Sequence, residues 1–207
     1  MSEASPTIAL TPSLGEYFRG PVHSAIQKQA NQRRDLEASA ASETYLVQLL
    51  SDFANPSPET RSALDRPVSF LLHDAMAASG AERFRRLQSL GDGVLYGLGF
   101  FGQSVEGADR RYYVHVGASA YGRAAQMLRA GHGQAGGPDV LDELARQFEG
   151  FAAVITMVAD FLMAQSARGH QGMLKLYERW LKTGSSVLEK ELGERGIMPL
   201  TKQGGVH

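Results

Sequence analysis

The chain has 207 residues, of which 43% are hydrophobic and 21% are charged, and it has no cysteine. This length and composition are typical of one globular domain rather than of a disordered protein. The formal net charge of −1 provides no general attraction to nucleic acids or anionic membranes, and the absence of cysteine excludes disulfides, thiolate metal sites and cysteine nucleophiles.

The first segment, residues 1–12, is rich in Ser, Thr and Pro without helical periodicity, which predicts a flexible lead-in. It lacks the basic start and the apolar run of a secretory signal, so a cytoplasmic protein is expected. Apolar residues then recur at helical spacing from residue 14 to residue 26, which predicts a helix. Gly20-Pro21 predicts an interruption in this helix, because proline has no N–H to donate in a helix interior.

The second predicted helix has an aromatic or aliphatic side chain every four residues, at Tyr45, Leu49 and Phe53. This spacing gives one apolar face, and Ser42 is the predicted N-cap. Asn55-Pro56 is predicted to end the helix, because the residue before a proline is steered out of the α-helical conformation.

Three helices are predicted in the middle of the chain. The first begins at Pro67, since proline is favoured at the first helical position. The second covers residues 81–90 and has a solvated face of arginines, namely Arg83, Arg85 and Arg86. Residues 91–107 contain six glycines among large apolar side chains, so helix and strand compete there. A buried helix is predicted for this stretch, because no partner strand is evident elsewhere.

The second half of the chain also predicts helices. Asp109 is the predicted cap of a helix that continues through Arg129. The longest helix is predicted from Pro138 to Arg168, and its most apolar part, residues 148–163, is shorter than the roughly 20 residues that cross a bilayer. A further helix from residue 171 and a short amphipathic turn after residue 184 follow.

These elements predict an all-α fold, a single-domain helical bundle of about seven to nine helices over residues 13–199. Residues 94–103 and 148–163 are expected at its centre. The last residues, 200–207, are predicted to form a flexible C-terminal tail.

Motifs for catalysis and metal binding are missing from the sequence. Gly97-Leu98-Gly99-Phe100-Phe101-Gly102 matches the dinucleotide motif G-x-G-x-x-G, but no βαβ unit surrounds it and no acidic residue follows at the required distance. Tight helix packing is the preferred interpretation of these glycines. None of the six histidines is paired with another at the spacing of helical metal ligands. We therefore predict no catalytic residue, no metal site and no cofactor.

The adjacent His73 and Asp74 are predicted to lie on different faces of their helix. This placement favours surface or interhelical hydrogen bonding over a proton-relay pair.

The densest group of unusual residues lies between residues 90 and 121, and it has two interpretations. In the preferred, structural one, Asp92 caps the glycine-rich helix and the aromatic side chains fill the core. In the functional one, polar and aromatic side chains line an interhelical cavity that holds a small ligand. The candidate ligand-binding residues are Asp92, Tyr96, Tyr112, Tyr113, His115 and Tyr121.

Three sequence patterns resemble an uncharacterised family of bacterial all-helical proteins. They are Y-L-V-x-L-L at residues 45–50, L-G-D…G-F-F…Y-Y…G…A-Y across residues 90–121, and L-Y-x-x-W at residues 176–180. The resemblance covers most of residues 17–199. It implies a bacterial, cytoplasmic, stand-alone domain and supplies no activity.

The sequence favours a non-enzymatic cytoplasmic protein that acts through protein–protein contacts, in a regulatory or scaffolding role. The partner is expected to be another protein, a homo-oligomer is compatible with the sequence, and neither a nucleic acid nor a membrane is expected to bind. The alternative is a helical protein, possibly an enzyme, that binds a small molecule or cofactor at the tyrosine cluster. A nucleic-acid-binding function would require five arginines to share one face, namely Arg83, Arg85, Arg86, Arg110 and Arg111.

Overall fold

A computed structural model describes residues 13–32, 36–57, 66–102, 107–132 and 139–197. These residues form an all-α fold of nine helices without a strand, as predicted. The helices are α1 (Leu14–Gln32), α2 (Ala40–Ala54), α3 (Val68–Ala77), α4 (Gly80–Phe101), α5 (Gly107–His132), α6 (Val140–Arg146), α7 (Phe148–Ser166), α8 (Gly169–Thr183) and α9 (Ser186–Glu194).

Helices α4 and α7 lie at the centre of the bundle. They pack on each other, and α4 also contacts α2, α3 and α5, while α7 contacts α1, α5 and α6. Leu95 on α4 and Ile155 on α7 are fully buried. The two segments that were expected at the centre therefore lie there, except that residues 103–106 are outside the described part of the chain. The predicted lead-in and tail also fall outside it.

The interruption predicted in the first helix is wrong, because α1 is assigned as one helix with Pro21 inside it. A proline in a helix interior costs about 3 kcal/mol through the lost hydrogen bond and the ring clash. The same helix buries Phe18, Val22 and Ile26. Full burial of such side chains stabilises by about 1.5–3 kcal/mol each, which exceeds the cost of the proline.

The N-cap predicted for the second helix is also wrong. The N-cap of α2 is Ser39, whose hydroxyl accepts a hydrogen bond from the Ser42 N–H at 3.1 Å. Ser42 itself is fully buried inside the first turn. The predicted end of the helix is confirmed, since α2 stops at Ala54 and Asn55 is its C-cap.

The two helices predicted over residues 81–90 and 91–107 form one helix, α4, which ends at Phe101. Its glycines do not end it, because tertiary packing on both sides outweighs their weak helix propensity. Asp92 consequently lies in the middle of α4, so the prediction that it caps a helix is wrong. Asp109 is not a cap either, since α5 already begins at Gly107 and Asp109 lies in its first turn.

The long helix predicted from Pro138 to Arg168 is divided into α6 and α7 at Gln147. The backbone of Gln147 leaves the helical region, with φ −114° and ψ 29°. Its side-chain amide donates to the Glu37 carbonyl and accepts from the Glu37 N–H, both at 2.8 Å. This long-range contact, which the sequence does not reveal, accompanies the break. The longest described helix is α5, with 26 residues.

Helices α8 and α9 form a C-terminal hairpin with its own hydrophobic cluster. Leu176, Trp180, Leu188 and Leu192 are buried there against the end of α7. Gly184 ends α8 in a left-handed conformation, with φ 60°, which a residue with a side chain rarely adopts. The tight turn that follows brings α9 back along α8.

Two arginines connect this C-terminal hairpin to α7. Arg195 donates to the carbonyls of Ala164 and Ala167, which are left without intrahelical partners at the end of α7. Arg179 of α8 donates from Nε to Asp160 Oδ1 of α7 at 2.5 Å, and both side chains are buried. The hairpin is thus attached by polar contacts as well as by its apolar cluster.

Helix α7 is, among the described helices, the one long and apolar enough to cross a membrane by length and composition. Half of this stretch, Phe148–Ser166, is buried against the other helices. Nine of its side chains belong to buried positions, which is the arrangement of a core helix.

Candidate functional site

A polar network lies between α2, α4 and α5. Asp92 Oδ1 accepts hydrogen bonds from the hydroxyls of Tyr45 and Tyr121, each at 2.7 Å. Gln88 Nε2 donates to the Tyr45 hydroxyl at 2.9 Å. One carboxylate oxygen therefore joins two tyrosines that are 76 positions apart in the sequence.

The spacing of residues along two helices builds this network. Residues four apart in a helix lie on one face, so Gln88, Asp92 and Tyr96 form a single row on α4. Tyr45 and Phe53 form a matching row on α2. Tyr45 contacts Gln88 and Asp92, and Phe53 stacks on Tyr96, so the two rows run in the same direction.

Gly91 makes room for the buried tyrosine of the network. A Cβ atom at Gly91 would lie 2.6 Å from Cε1 of Tyr121, a distance that carbon atoms do not tolerate. The Tyr121 ring, which has no exposed surface, therefore packs directly on the backbone of α4. Its edge also meets Tyr45, with ring centroids 6.5 Å apart.

Burial dominates the electrostatics of the network. It raises the pKa of Asp92 from 3.8 to about 6, although the hydrogen bonds from Tyr45 and Tyr121 act in the opposite direction. Burial also raises the pKa of Tyr45 and of Tyr121, and the nearby Asp92 carboxylate adds to this effect. The two phenols are therefore donors to Asp92 and have no role as phenolates at neutral pH.

The raised pKa of Asp92 predicts a pH-dependent stability. Below about pH 3.8 the carboxyl group is protonated in both the folded and the unfolded chain. As the pH rises towards 6, the unfolded chain ionises first, so stability is lost through this window. A shift of about two pKa units corresponds to about 3 kcal/mol. We expect the free energy of unfolding to fall by up to this amount.

The variant Asp92→Asn isolates this effect, because it keeps an oxygen acceptor for both tyrosines and cannot ionise. The free energy of unfolding of both proteins is measured by urea denaturation at about pH 4 and about pH 7. Between these pH values, the variant should gain about 3 kcal/mol of stability relative to the wild type. An unchanged difference between the two pH values would show that Asp92 titrates normally.

A second group of aromatic side chains lies on the surface, at the ends of α2 and α4. We call it the aromatic patch, and it consists of Phe53, Tyr96, Phe100 and Phe101. Phe53 stacks on Tyr96 with centroids 4.3 Å apart, and Tyr96 stacks on Phe100 at 4.6 Å. Phe101 meets the edge of Tyr96 at 6.2 Å. The four rings thus form one continuous surface.

The aromatic patch faces both the core and the solvent. Phe53, Tyr96 and Phe100 are half-buried and pack on the main core, whereas the ring of Phe101 is 60% exposed. Burial raises the pKa of Tyr96 above its ordinary value. Phe101 is thus the exposed end of an otherwise half-buried row of rings.

The structure divides the six candidate ligand-binding residues into separate groups. Asp92 and Tyr121 meet in the polar network, and Tyr96 belongs to the aromatic patch. Tyr112 and Tyr113 contact each other edge to face on α5, with centroids 5.6 Å apart, and Tyr112 is exposed. His115 is also exposed on α5. A ligand-binding role for these six residues stays a prediction.

The sequence did not single out Tyr45, Gln88 or the three phenylalanines of the aromatic patch as site residues. The four-residue spacing of Tyr45 and Phe53 was a usable signal, because it placed both on one face of α2. Which helix this face would meet could not be read from the spacing.

Among the described residues, no group of three His, Asp or Glu is placed to hold a metal ion. His73 and Asp74 lie on the surface of α3, with Nδ1 and Oδ1 3.5 Å apart, which agrees with the expected surface bonding. Adjacent exposed side chains can swing together from a helix surface. Asp74 is bonded more closely by Arg66, at 2.7 Å.

The glycine motif at residues 97–102 lies at the C-terminal end of α4. A dinucleotide site needs such a motif at a helix N-terminus, where backbone N–H groups point at the phosphates. Gly99 instead packs against Ile155, and Gly102 lies beside Arg110. The geometry therefore favours helix packing as the role of Gly99, whereas a Cβ atom at Gly97 would meet no atom within 4 Å.

Comparison with protein-family models, with curated proteins and with solved structures finds no match. The resemblance to a bacterial helical family therefore stays an expectation.

Proposed function

We propose that the protein is a non-enzymatic protein that acts through protein–protein contacts made by the aromatic patch. The observation that carries this proposal is the exposure of Phe101 beside three stacked rings. Aromatic side chains are enriched at the centres of protein interfaces and contribute a large share of their binding energy. A half-buried cluster is also held rigid before binding, which lowers the entropic cost of association.

The alternative function, binding of a small molecule at the tyrosine cluster, has less support. Asp92 and Tyr121 are engaged with each other and with Tyr45. Tyr112 and His115 are exposed on α5 rather than directed towards this network. These residues would have to rearrange to enclose a ligand together.

We further propose a cytoplasmic location and a protein partner rather than a nucleic acid. Arg85 and Arg86 are paired with Glu82 near the start of α4. Arg110 of α5 lies beside Gly102, at the other end of α4. At a rise of 1.5 Å per residue, Gly102 is about 25 Å from Arg85 and Arg86 along α4. The pairing of Arg85 and Arg86 with Glu82, and their distance from Arg110, support a protein partner over a nucleic acid, because these arginines do not form one compact unpaired cluster.

The test compares Phe101→Glu with the matched control Phe70→Glu. Phe70 on α3 is 59% exposed, so both substitutions place a charge at an equally exposed phenylalanine. Loss of an interface hot spot costs about 2 kcal/mol or more, which is about a 30-fold loss of affinity. We expect Phe101→Glu to lose its partner to this extent and Phe70→Glu to keep it.

Partner retention is measured by quantitative mass spectrometry of proteins co-purified from the native cells at equal bait levels. Light scattering of the purified protein shows whether the partner is a second copy of the chain. If Phe101→Glu retains the same proteins and the same mass as Phe70→Glu, the aromatic patch is not the interface.

A further inference from the structure

A cleft of about 670 Å³ separates the main bundle from the C-terminal hairpin. Its bundle side is formed by side chains of α1, α4, α5 and α7. Its hairpin side is formed by residues 182–187, which connect α8 to α9. A volume of this size is typical of sites for small molecules, and such sites often lie where two packing units meet.

Three cations from three different elements line this cleft, namely Lys28 of α1, Arg110 of α5 and Lys182 of α8. Within the described part of the chain, none of them forms an ion pair or a hydrogen bond from its side chain. Other surface cations of the described chain are paired, as Arg85 and Arg86 are, or unpaired, as Arg111 and Lys175 are, but those unpaired ones do not line this cleft. The cleft therefore concentrates positive charge that no side chain in the described ranges neutralises.

Among the described lining residues, Asp160 is the one carboxylate, and it is already engaged. Its Oδ1 accepts from Arg179 Nε, and Arg179 Nη1 donates to the Phe100 carbonyl at 3.1 Å. Arg179 Nη2 is buried and has no acceptor among the described residues. Arg179, behind the cleft wall, therefore balances the negative charge of Asp160. Asp160 does not offset the positive charges of Lys28, Arg110 and Lys182.

The first turn of α9 adds further donors at the hairpin side. Ser185, Ser186 and Val187 line the cleft, and the Ser185 hydroxyl makes no capping hydrogen bond. The first N–H groups of a helix have no partner inside it and carry a partial positive charge. Arg110 lies at the C-terminal end of α4, where the last carbonyl groups carry a partial negative charge of about one half. The full positive charge of Arg110 exceeds this partial charge, so the cleft stays positive there.

We propose that this cleft binds a small phosphate monoester with an apolar group. A dianion with three oxygens carries two charges and enough acceptors for several of these cations and for N–H or hydroxyl donors of α9. A monocarboxylate would leave most of these donors unused. The remaining wall is apolar, formed by Leu98, Ala153, Met157 and Val187, and it fits the non-phosphate part of the ligand.

Isothermal titration calorimetry with phenyl phosphate tests the proposal. Inorganic phosphate, benzoate and sodium chloride are titrated at the same ionic strength, because screening by salt alone also changes the heat of titration. We expect saturable binding of phenyl phosphate, weaker binding of inorganic phosphate and benzoate, and none of chloride. Absence of saturable binding by phenyl phosphate would overturn the proposal.

Alanine variants locate the binding. Arg110→Ala and Lys182→Ala are each expected to weaken the affinity for phenyl phosphate about tenfold, because each removes a charge-assisted donor. Lys175→Ala is the matched control, since Lys175 is also an exposed lysine of α8 but does not line the cleft. An equal loss in Lys175→Ala and Lys182→Ala would show that only net charge matters, and would overturn the proposal.

The variant Ser186→Asp separates binding from folding. An acidic residue in the first turn stabilises a helix, so the melting temperature should not fall, while the added negative charge repels the phosphate. Ser69→Asp is the control, because it makes the same change in the exposed first turn of α3. We expect Ser186→Asp to abolish binding and Ser69→Asp to retain it. Retention in both variants would exclude this cleft.

Discussion

Asp160→Ala is expected to lower the free energy of unfolding by about 3–5 kcal/mol, the largest effect of any single substitution considered for this protein. Removal of one partner of a buried ion pair leaves the other charge in a poorly solvated environment. Here that charge is the Arg179 guanidinium, which lies between α7 and the C-terminal hairpin and already has one nitrogen without an acceptor in the described part of the chain.

Urea denaturation of three variants tests this expectation. Asp74→Ala removes the carboxylate of an exposed pair, Arg66–Asp74, with a similar distance of 2.7 Å, and should cost far less stability than Asp160→Ala because solvent screens the pair. The double variant Asp160→Leu with Arg179→Met should recover most of the stability, because two apolar side chains need no counter-charge. Equal losses in Asp160→Ala and Asp74→Ala would contradict the buried position of the pair.

Gly99→Ala is expected to destabilise the protein by about 3 kcal/mol, whereas Gly97→Ala should stabilise it by about 0.5–1 kcal/mol. Both glycines lie inside α4, where alanine is the better helix former. A Cβ atom at Gly99 would collide with the fully buried Ile155 of α7, while no atom lies within 4 Å of a Cβ atom at Gly97.

Thermal and urea denaturation of the two variants should show changes in the free energy of unfolding that have opposite signs. The substitution is the same in both, and the two positions are only two residues apart. The comparison removes the effect of glycine on the unfolded chain, because both variants change it equally. A destabilisation of similar size at both positions would mean that α4 and α7 do not cross at Gly99. It would then leave the glycine motif at residues 97–102 without a packing explanation.

The fold class was predictable because helical periodicity is a local property. Tyr45, Leu49 and Phe53 define a face of α2 without reference to the rest of the chain. The helix boundaries were less predictable, because they depend on distant partners. Gln147 lies at the break between α6 and α7 and bonds the backbone of Glu37, more than a hundred positions away. Tertiary packing likewise keeps α4 helical at its glycines and α1 helical at Pro21.

The candidate site was predictable only in part. Asp92 and Tyr121 were singled out together, and the structure joins them by a hydrogen bond. Their third partner, Tyr45, is on a helix whose direction relative to α4 the sequence does not give. The basic cleft was not predictable at all, since Lys28, Arg110 and Lys182 come from three helices and no local spacing relates them.

The polar network and the aromatic patch differ in what they contribute. In the network, one oxygen of Asp92 accepts from both tyrosines, so the effect of the network is on stability and on the pH dependence of stability. The aromatic patch is open, because Phe101 retains more than half of its surface in solvent. A contact with another protein would bury this surface, and this is the feature on which the proposed function depends.

The most direct test of a protein-binding aromatic patch is photo-crosslinking in the native cells. A photoreactive phenylalanine analogue is introduced at Phe101 in one variant and at the equally exposed Phe70 in another. We expect a crosslinked product of defined mass from position 101 that is absent, or much weaker, from position 70. Equal yields at the two positions, or no product from position 101, would contradict it.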